Sequence, residues 1–323
     1  MKIAIASFTR NGCVWNQKLC AALKKHSCEG YALEKYGKEA GIPAIAPSLP
    51  AWTERMFQKM DAILFIGACG IAVRSIAPYV KSKKTDPAVL CMDEQGKFVI
   101  SLLSGHIGGA NELTEEVAAV TGAVPVITTA TDVNGLPAPD VLARHEHLLV
   151  DDFQTLINVN SAIVGGERVD YYIDASLANA EHLEQAAKAH IGEHGMVHIV
   201  SLEELASIPC KNENTDEGSS RVVITDKVIA EYGHQLILRP RTYTMGIGCR
   251  RDTPKKLILD AIQQSLVEHK LSPKSLVTAA SVIVKQDEVG LLEAMQIMGW
   301  PIVFYTQDEM APLIEEEKLK ESN

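Results

Sequence analysis

Aromatic residues and positive charge are both scarce in this chain of 323 residues. Aromatics make up 5% of it, and 31 Lys and Arg stand against 41 Asp and Glu, which gives a formal net charge of −10. Proteins that bind nucleic acids through a basic, base-stacking surface have the opposite composition. The sequence therefore predicts no nucleic-acid partner, and an anionic substrate would need a locally basic pocket.

Long apolar runs and paired cysteines are also missing. The richest apolar stretch, residues 62–73, is broken by Gly67 and Gly70 and falls short of the ~18 residues that a membrane-spanning helix needs. The stretch before Arg10 is too short for the apolar region of a signal peptide. Seven cysteines without a CxxC pair indicate reduced thiols. We therefore expect a cytoplasmic protein with no membrane partner and no metal site of its own.

The sequence does contain short β-rich runs that alternate with amphipathic helical stretches, which is typical of α/β layers on parallel sheets. In the first half, strands are predicted at residues 2–6, 62–66, 88–92, 98–103 and 125–128. Residues 93–96 predict a hairpin turn. Apolar spacing predicts one helix that buries Trp15 and is capped by Asn11. It predicts another from Gly105 to Gly122 with Val120 in its buried stripe.

Turn-forming residues at 131–139 indicate that a first unit ends shortly afterwards. The predicted fold class is α/β, with an N-terminal parallel-sheet α/β domain over residues 1–147, a middle α/β domain over 148–240 and a smaller C-terminal α/β domain over 241–323. The most loop-like stretch is 211–220. Further strands are predicted at 168–173, 197–200, 221–224, 235–238, 242–247, 282–284 and 302–305. A helix after Pro254 is predicted to bury Leu257, Ile258, Ala261, Ile262 and Leu266.

Three glycine-rich motifs carry the polar chemistry. The first, residues 67–74, follows a buried strand and opens a helix, with Gly67 and Gly70 in the turn and Arg74 close behind. Backbone N–H groups and the positive end of the helix dipole favour a carboxylate or phosphate there. The alternative is that the glycines only permit a tight strand-to-helix turn.

The second motif gathers a hydroxyl, an imidazole, an amide and a carboxylate around three glycines. Its members are Ser104, Gly105, His106, Gly108, Gly109, Asn111 and Glu112. A histidine near a helix N-terminus has its charged form disfavoured, so we expect a neutral imidazole at His106 that takes a proton from water. The alternative is a histidine that caps the helix, with Glu112 solvated. A Ser104 nucleophile is disfavoured because the GxSxG pattern is absent.

The third motif, residues 246–251, imitates a dinucleotide-binding fingerprint, but Arg251 occupies the place of the third glycine. What is left is a loop with Gly246 and Gly248 beside two guanidiniums, Arg250 and Arg251, which suits carboxylate recognition. Two solvated arginines next to a tight turn are the alternative. The missing glycine and the absence of a Walker pattern also disfavour a nucleotide-dependent enzyme.

Four segments of the first domain, taken in order, make the chain resemble the cobalt-precorrin-5A hydrolase family of anaerobic cobalamin (vitamin B12) biosynthesis. They are GACGIAVR at 67–74, TDPAV at 85–89, LLSGHIGGANE at 102–112 and TTATD at 128–132. The C-terminal domain agrees through GIGCRR at 246–251 and KQDE at 285–288. The resemblance is strong up to about residue 145, weak in the middle and good over 241–310. The family's last domain is expected to continue with another helix and strand, so whether this one is complete at Asn323 stays open.

The resemblance implies the opening of a δ-lactone on a cobalt-bound corrin precursor, with release of acetaldehyde, to give cobalt-precorrin-5B. Cobalt arrives in the substrate, so no cofactor is expected. The chemistry needs a base that activates water and an acid that protonates the leaving oxygen. We expect His106 to be the base, with Glu112 or Asp86 orienting it or supplying the proton. Asp132 and Glu288 are the other candidate bases.

The resemblance also implies a substrate rich in acetate and propionate groups, which Gly-rich helix starts and nearby cations would bind. The expected substrate-binding residues are Gly67, Gly70, Arg74, Ser104, Gly105, Gly108, Gly109, Asn111, Asp132, Gly246, Gly248, Arg250, Arg251, Lys285 and Glu288. The first and third domains are expected to face each other across this small-molecule partner. A homodimer and transient contacts with neighbouring pathway enzymes are further partner hypotheses. The alternative function is a corrinoid-binding or handover protein without hydrolytic activity.

Overall fold

The computed structural model describes residues 1–211 and 218–316, so most of the predicted loop at 211–220 and the end of the chain lie outside the described residues. The predicted α/β class is confirmed, with helices packed on sheets of six, five and three strands. Two compact units divide the chain, Met1–Arg144 and His145–Asn323, and each is described by itself. Within the described ranges, no helix has both the length and the apolar character that crossing a membrane requires.

The first unit is built on a six-stranded sheet in the order β2-β1-β3-β4-β5-β6. Its strands are β1 (Lys2–Ser7), β2 (Ser27–Ala32), β3 (Ala62–Ile66), β4 (Ala88–Met92), β5 (Phe98–Leu103) and β6 (Val124–Val126). Its helices are α1 (Arg10–Ala22), α2 (Glu34–Ala40), α3 (Leu49–Lys59), α4 (Cys69–Ile76), α5 (Ala110–Thr121), α6 (Ala130–Val133) and α7 (Pro139–His145).

Helices cover both faces of this sheet, and alternate side chains of each central strand enter different cores. Ile3 and Ile5 of β1 pack with residues of α1 and α5. Ala4 and Ala6 of the same strand pack with residues of α3 and α4. Strands covered on both faces are apolar throughout, and β3 and β4 are buried at every residue. This double cover explains why the runs at 62–66 and 88–92 correctly predicted these two strands.

The start of α1 differs from the sequence-based expectation. The helix begins at Arg10, and its cap is Thr9, whose Oγ1 accepts a hydrogen bond from the Gly12 backbone at 3.0 Å. Asn11 therefore lies inside the helix, and its assignment as the cap is wrong. Trp15 is only partly buried, although it packs against the core as expected.

The helix α5 is also shorter than expected at its start. It begins at Ala110 rather than at Gly105, because the residues between them form a loop with backbone hydrogen bonds of its own. Val120 is 39% exposed, so it is not part of the buried stripe. The predicted end is confirmed by Gly122, which has a φ of 75° and caps the helix in the left-handed conformation.

The hairpin between β4 and β5 reverses the chain direction within the sheet. β1 to β4 are parallel, β5 runs antiparallel to β4, and β6 runs parallel to β5. In the register, Ile66 at the end of β3 pairs with Met92, whereas Leu103 at the end of β5 pairs with Val89. The loops after β5 and β6 therefore leave the sheet at the edge where β3 and β4 begin, opposite to Gly67.

The second unit contains two sheets. One has the order β7-β11-β10-β8-β9, with β7 antiparallel to β11 and the other pairs parallel, and the other is parallel with the order β12-β13-β14. The strands are β7 (Leu149–Val150), β8 (Asp170–Asp174), β9 (Val197–Val200), β10 (Arg221–Ile224), β11 (Gln235–Arg239), β12 (Tyr243–Gly246), β13 (Leu276–Val282) and β14 (Ile302–Tyr305). The helices are α8 (Phe153–Val164), α9 (Ala180–Ile191), α10 (Leu202–Ser207), α11 (Lys255–Glu268), α12 (Val289–Met298) and α13 (Gln307–Glu316).

Two sequence-based expectations for this unit need correction. The buried stripe of α11 is narrower than expected, because Leu257 is 60% exposed and Ala261 is also exposed. The residues of the stripe that are buried are Ile258, Ile262 and Leu266. The strand predicted at 282–284 is wrong, since β13 ends at Val282 and a single 3-10 turn follows.

Asp151 forms ion pairs with a residue of each sheet region of the second unit, Arg239 in the larger sheet and Lys274 beside the smaller one. Arg239, at the end of β11 and 2% exposed, donates to Asp151 Oδ2 from Nε at 3.1 Å and from Nη2 at 2.8 Å. Lys274, which precedes β13, donates to Asp151 Oδ1 at 2.5 Å. Burial raises the pKa of Asp151, but hydrogen bonds and charges from Arg239 and Lys274 outweigh burial and hold that pKa below its ordinary value. The Asp151 carboxylate thus connects the two sheets.

Replacing Asp151 by Asn is expected to destabilise the second unit by about 3–5 kcal/mol, because breaking a buried pair from one side leaves the partner charge uncompensated. Glu39→Gln is the matched control. It breaks the Arg10–Glu39 pair, whose side chains are 71% and 48% exposed, and the unfolding free energy should hardly change. Urea unfolding measures both variants, and similar effects of the two substitutions would contradict the role assigned to Asp151.

Candidate active site

His106 lies between two carboxylates in the first unit. Its side chain is 9% exposed in the loop between β5 and α5, with Nε2 2.6 Å from Asp132 Oδ2 and Nδ1 3.2 Å from Asp140 Oδ2. Asp132 belongs to α6 and Asp140 to the first turn of α7. The Thr131 hydroxyl is a third neighbour, 3.2 Å from Nε2. Three segments that are separate in sequence therefore meet at this imidazole.

These contacts determine the protonation state of His106. A carboxylate only accepts hydrogen bonds and a neutral imidazole has a single N–H, so bonding to both Asp132 and Asp140 requires the imidazolium. Burial lowers the pKa of His106, but the hydrogen bonds and charges of Asp140 and Asp132 together outweigh burial and raise it to about 9. The neutral imidazole expected from the sequence is therefore wrong, because two carboxylates outweigh the roughly half-unit positive charge of a helix N-terminus.

The loop that presents His106 is tightly packed on itself. Ser104 has a φ of 59°, a left-handed conformation that is unfavourable for a residue other than glycine, and its Oγ donates to the Asp86 backbone oxygen at 2.9 Å. A Cβ on Gly108 would lie 2.4 Å from Ser104 Cβ. Gly109 has a φ of 81°, and a Cβ there would lie 2.7 Å from Arg144 Nη1. Glycine is therefore needed at 108, where a side chain would collide with Ser104, and at 109, where the backbone is left-handed.

An amide completes the cluster around Asp132. Asn111, in the first turn of α5 and 5% exposed, donates from Nδ2 to Asp132 Oδ2 and to Thr129 Oγ1, both at 3.1 Å. Ser101 of β5 donates to Asn111 Oδ1 at 2.7 Å. A Cβ on Gly105 would lie 2.7 Å from the same oxygen, so glycine is needed where this side chain passes. Both ends of the Asn111 amide are thus engaged within the protein.

The other two carboxylates expected to be catalytic do not contact His106. Because α5 begins at Ala110, Glu112 lies in its first turn and pairs with Arg144 of α7. The Asp86 carboxylate accepts hydrogen bonds from the backbone N–H groups of Lys81 and Ser82 at 2.8 and 2.9 Å, and so closes the turn before β4. Assigning Glu112 or Asp86 as the partner of His106 is therefore wrong.

The first glycine motif lies at the opposite edge of the sheet. Gly67 and Gly70 follow the end of β3, whereas the His106 loop is level with the start of that strand. A strand of five residues spans roughly 15 Å, so the two motifs of this unit are separated by the height of the sheet. Arg74 is exposed on α4, with its guanidinium alongside Gly70. These three residues therefore do not contact the His106 loop, and their role in substrate binding stays a prediction.

In the second unit, the loops after β12 and β13 are joined at one edge of the three-stranded sheet. Arg251 Nη1 donates to Asp287 Oδ1 at 2.6 Å. Glu288 is 3% exposed and accepts a hydrogen bond from the Asp252 backbone at 2.7 Å, and Lys285 Nζ lies 3.9 Å from its second oxygen. Arg251, Lys285 and Glu288 were expected to bind substrate, and in the structure their contacts hold the two loops together.

Arg250 and the neighbouring glycines are arranged differently. Arg250 is exposed, and the described residues provide no ion-pair partner for its guanidinium. A Cβ on Gly246 or Gly248 would meet nothing within 4 Å. A cleft of about 330 Å³ lies beside this loop, lined by Ile247, Cys249 and one face of α11. The loop backbone and one guanidinium are therefore accessible to a ligand.

Sequence reasoning missed Asp140. It stands 34 residues after His106, and its local signal is only that of an acidic residue after Pro139 at a helix start, where a carboxylate commonly stabilises the helix dipole. Asp132 was expected to bind substrate or to be an alternative base, because it ends the segment at 128–132. The spacing of these residues in the sequence does not indicate that Asp132 and Asp140 contact the same imidazole.

Three protein-family models match successive parts of the chain. "Cobalamin synthesis G N-terminal" matches residues 51–132, "Cobalamin biosynthesis central region" matches 137–240 and "Cobalamin synthesis G C-terminus" matches 243–323. A cobalt-precorrin-5A hydrolase of Salmonella typhimurium is 35% identical over 312 residues, which are 95% of this chain and 83% of that protein. This chain belongs to the cobalt-precorrin-5A hydrolase family.

Two further comparisons concern the same family. A cobalt-precorrin-5A hydrolase of Priestia megaterium is 32% identical over 291 residues, which are 87% of this chain and 74% of that protein. A solved structure of a cobalamin biosynthesis protein G homologue from Sulfolobus solfataricus is 20% identical and covers 96% of this chain and 81% of its own, with a TM-score of 0.39. The three family models and the two hydrolases at 35% and 32% identity confirm the resemblance drawn from the sequence motifs.

The His106 imidazole of this cobalt-precorrin-5A hydrolase family member is expected to titrate near pH 9 rather than near 6.5. An NMR titration of labelled histidine measures this, with the signal assigned by His106→Gln. Because the folded pKa is raised, charged His106 stabilises the fold fully below about pH 6.5, and this contribution is lost as the pH rises through about 9. Asp140→Asn should move the inflection to lower pH, and a wild-type inflection near 6.5 would contradict the assignment.

Proposed function

We propose that this chain is a cobalt-precorrin-5A hydrolase and that its reaction takes place at the cluster formed by Asp132, His106 and Asp140. The observation that carries the proposal is the meeting of the segments 102–112 and 128–132, both part of the family resemblance, at one charged imidazole. Relatives named cobalt-precorrin-5A hydrolase align with most of the chain. The cluster supplies the proton-transfer groups that lactone opening needs.

Lactone opening begins when water adds to the acyl carbon, and a base must take a proton from that water. We assign this role to Asp132, because its side chain is 33% exposed whereas those of His106 and Asp140 are each 9% exposed. His106 is already protonated and donates to Asp132, so it orients the carboxylate, and Asp140 holds the ring from its other side. Asp132 returns the proton to the ring oxygen as the acyl–oxygen bond breaks, which yields a carboxylic acid and a hydroxyl group.

Release of acetaldehyde then breaks a carbon–carbon bond. The hydroxyl made by lactone opening loses its proton as its carbon becomes the aldehyde carbonyl, and the electron pair of the broken bond stays on the macrocycle. We assign this second proton to Asp132 as well, so that one carboxylate serves both steps. The cobalt ion enters as part of the substrate, and the proposal includes no cofactor of the protein's own.

For substrate recognition we propose that carboxylates of the corrinoid bind at Arg250 and at the open backbone of Gly246 and Gly248. A chain with a net charge of −10 repels an anionic ligand at long range. The Arg250 guanidinium, which lies beside an open loop, can still attract a substrate carboxylate at short range. We further propose that the protein works in the cytoplasm, forms a homodimer and makes transient contacts with neighbouring pathway enzymes.

The test is anaerobic incubation of the purified protein with cobalt-precorrin-5A while acetaldehyde is assayed. Asp132→Asn keeps the shape of the side chain but removes the base, and should lower the rate about 10²- to 10⁴-fold with substrate affinity nearly unchanged. His106→Gln should cause a comparable loss. Glu39→Gln, an exposed carboxylate of the same unit, should retain the full rate. Wild-type protein that binds substrate without releasing acetaldehyde would instead indicate a handover protein.

Arg250→Ala is expected to raise KM, to weaken the salt dependence of binding and to leave kcat nearly unchanged. Exposed charges act over about 8 to 10 Å at ordinary ionic strength, so the missing attraction appears in binding. Arg251→Ala is the comparison. That guanidinium also donates to the Val284 backbone oxygen and lies 3.7 Å from the buried Glu288, so its loss should lower thermal stability instead. If Arg250→Ala leaves KM and its salt dependence at wild-type values, Arg250 is an ordinary surface residue.

A further inference from the structure

We propose that Asn111 is a positioning residue that determines which oxygen of Asp132 is available as the base. This inference rests on the proposed function, since it concerns the same carboxylate. It also changes the role expected from the sequence, in which Asn111 contacts substrate. A side chain that is 5% exposed and bonded at both ends of its amide has little surface left for a ligand.

The orientation of the Asn111 amide follows from its two neighbours Asp132 and Ser101. The Asp132 carboxylate only accepts hydrogen bonds, so the Asn111 NH₂ group must face it, and the amide oxygen then faces Ser101, whose hydroxyl donates to it at 2.7 Å. With Oδ1 held by Ser101, Nδ2 must point the other way, to Thr129 Oγ1 and Asp132 Oδ2. Ser101 lies on β5 and Asn111 on α5, so a strand and a helix together fix this amide.

Asn111 and His106 act on the same oxygen of Asp132. His106 Nε2 lies 2.6 Å and Asn111 Nδ2 lies 3.1 Å from Oδ2. Two donors on one oxygen prevent rotation of the carboxylate about its Cβ–Cγ bond, and they leave Oδ1 as the oxygen that takes a proton from water. Without Asn111 the Asp132 carboxylate keeps His106 as its hydrogen-bond donor on one side only, and its two oxygens can exchange places.

The charged groups around Asp132 come from three elements. His106 lies on the loop, Glu112 on α5, and Asp140 and Arg144 on α7. Glu112 and Arg144 form an ion pair, and His106 lies between the two aspartates. A neutral donor at position 111 adds no charge to this set, whereas a carboxylate there would stand directly against Asp132 Oδ2 and repel it.

The experiment compares the pH dependence of kcat in three variants. Ser101→Ala frees the orientation of the amide, Asn111→Ala removes the donor, and Asn111→Asp replaces it with a negative charge of the same shape. Each change disfavours the ionised Asp132, so the acid limb of the profile should move to higher pH in that order, by about one unit or more in Asn111→Asp. At pH 7 the expected loss of kcat is about tenfold to hundredfold for Asn111→Asp, with KM nearly unchanged.

Asn16→Asp is the matched control. Asn16 is also buried in the first unit, at 1% exposed, but it hydrogen-bonds to Ser7 and to backbone oxygens of β1 and β2, away from His106. It reports what an additional buried carboxylate does to folding, and the kcat of the folded fraction should keep the wild-type pH profile. Ser101→Ala introduces no charge, so it keeps the test decisive if an Asp variant does not fold.

A second readout is independent of turnover. The NMR titration of His106 should shift to higher pH in Asn111→Asp, because a further carboxylate joins its surroundings, and should stay at the wild-type value in Asn16→Asp. The positioning role is overturned if Ser101→Ala and the Asn111 variants lose activity without moving the acid limb, or if KM changes instead of kcat. Absence of acetaldehyde release from the wild-type protein would overturn the proposed function instead, whatever the titration shows.

Discussion

Two carboxylates share one imidazole, and the chemistry of the first unit depends on this arrangement. A buried carboxylate without a compensating partner is costly, and His106 compensates both Asp132 and Asp140 only while it carries a proton on each nitrogen. The same contacts that stabilise the cluster therefore remove the histidine from consideration as a proton acceptor. Because Asp132 is the most exposed member, we propose it as the proton acceptor, and the neighbouring amide then matters for its orientation.

The meeting of these residues follows from the reversal of the sheet at the β4–β5 hairpin. β5 and β6 are parallel neighbours, so the loops that leave their carboxyl ends emerge side by side. The first of these loops carries His106 and the second leads into α6 with Asp132. A hairpin that reverses two strands also separates the His106 loop from the turn at Gly67, which leaves the sheet at the other edge. The hairpin thus brings the His106 loop next to Asp132 and separates both from the glycine motif at Gly67.

The second unit combines rigid and accessible parts. Asp151 pairs with Arg239 within the larger sheet and with Lys274 beside the smaller one, so it joins the two sheets. The contacts of Arg251 with Asp287 and of Glu288 with the Asp252 backbone hold together the loops at the edge of the smaller sheet. These internal contacts leave Arg250 as the neighbouring guanidinium that points to solvent. Two arginines that are adjacent in sequence therefore differ in role, because one meets a carboxylate of the next loop and the other does not.

The sequence by itself determined the α/β class, the central strands and the family. The runs at 62–66, 88–92 and 221–224 are apolar at almost every position, because strands covered by helices on both faces need apolar side chains on both. The motif around His106 also predicted that this loop is the chemical centre, which is the basis of the proposed reaction site. These features are local or strictly ordered along the chain, so they can be recognised without a structure.

Only the tertiary structure decided the protonation of His106, its partners and the fate of each expected site residue. Asp132 and Asp140 lie 26 and 34 residues beyond His106, and nothing in their spacing places them on opposite nitrogens of one ring. Glu112 and Asp86 lie closer to His106 in the sequence, yet Glu112 pairs with Arg144 and Asp86 accepts hydrogen bonds from the backbone of residues 81 and 82. The physical reason is that burial and charge act through space, and the distances between segments are set by strand direction and packing, which residue spacing does not record.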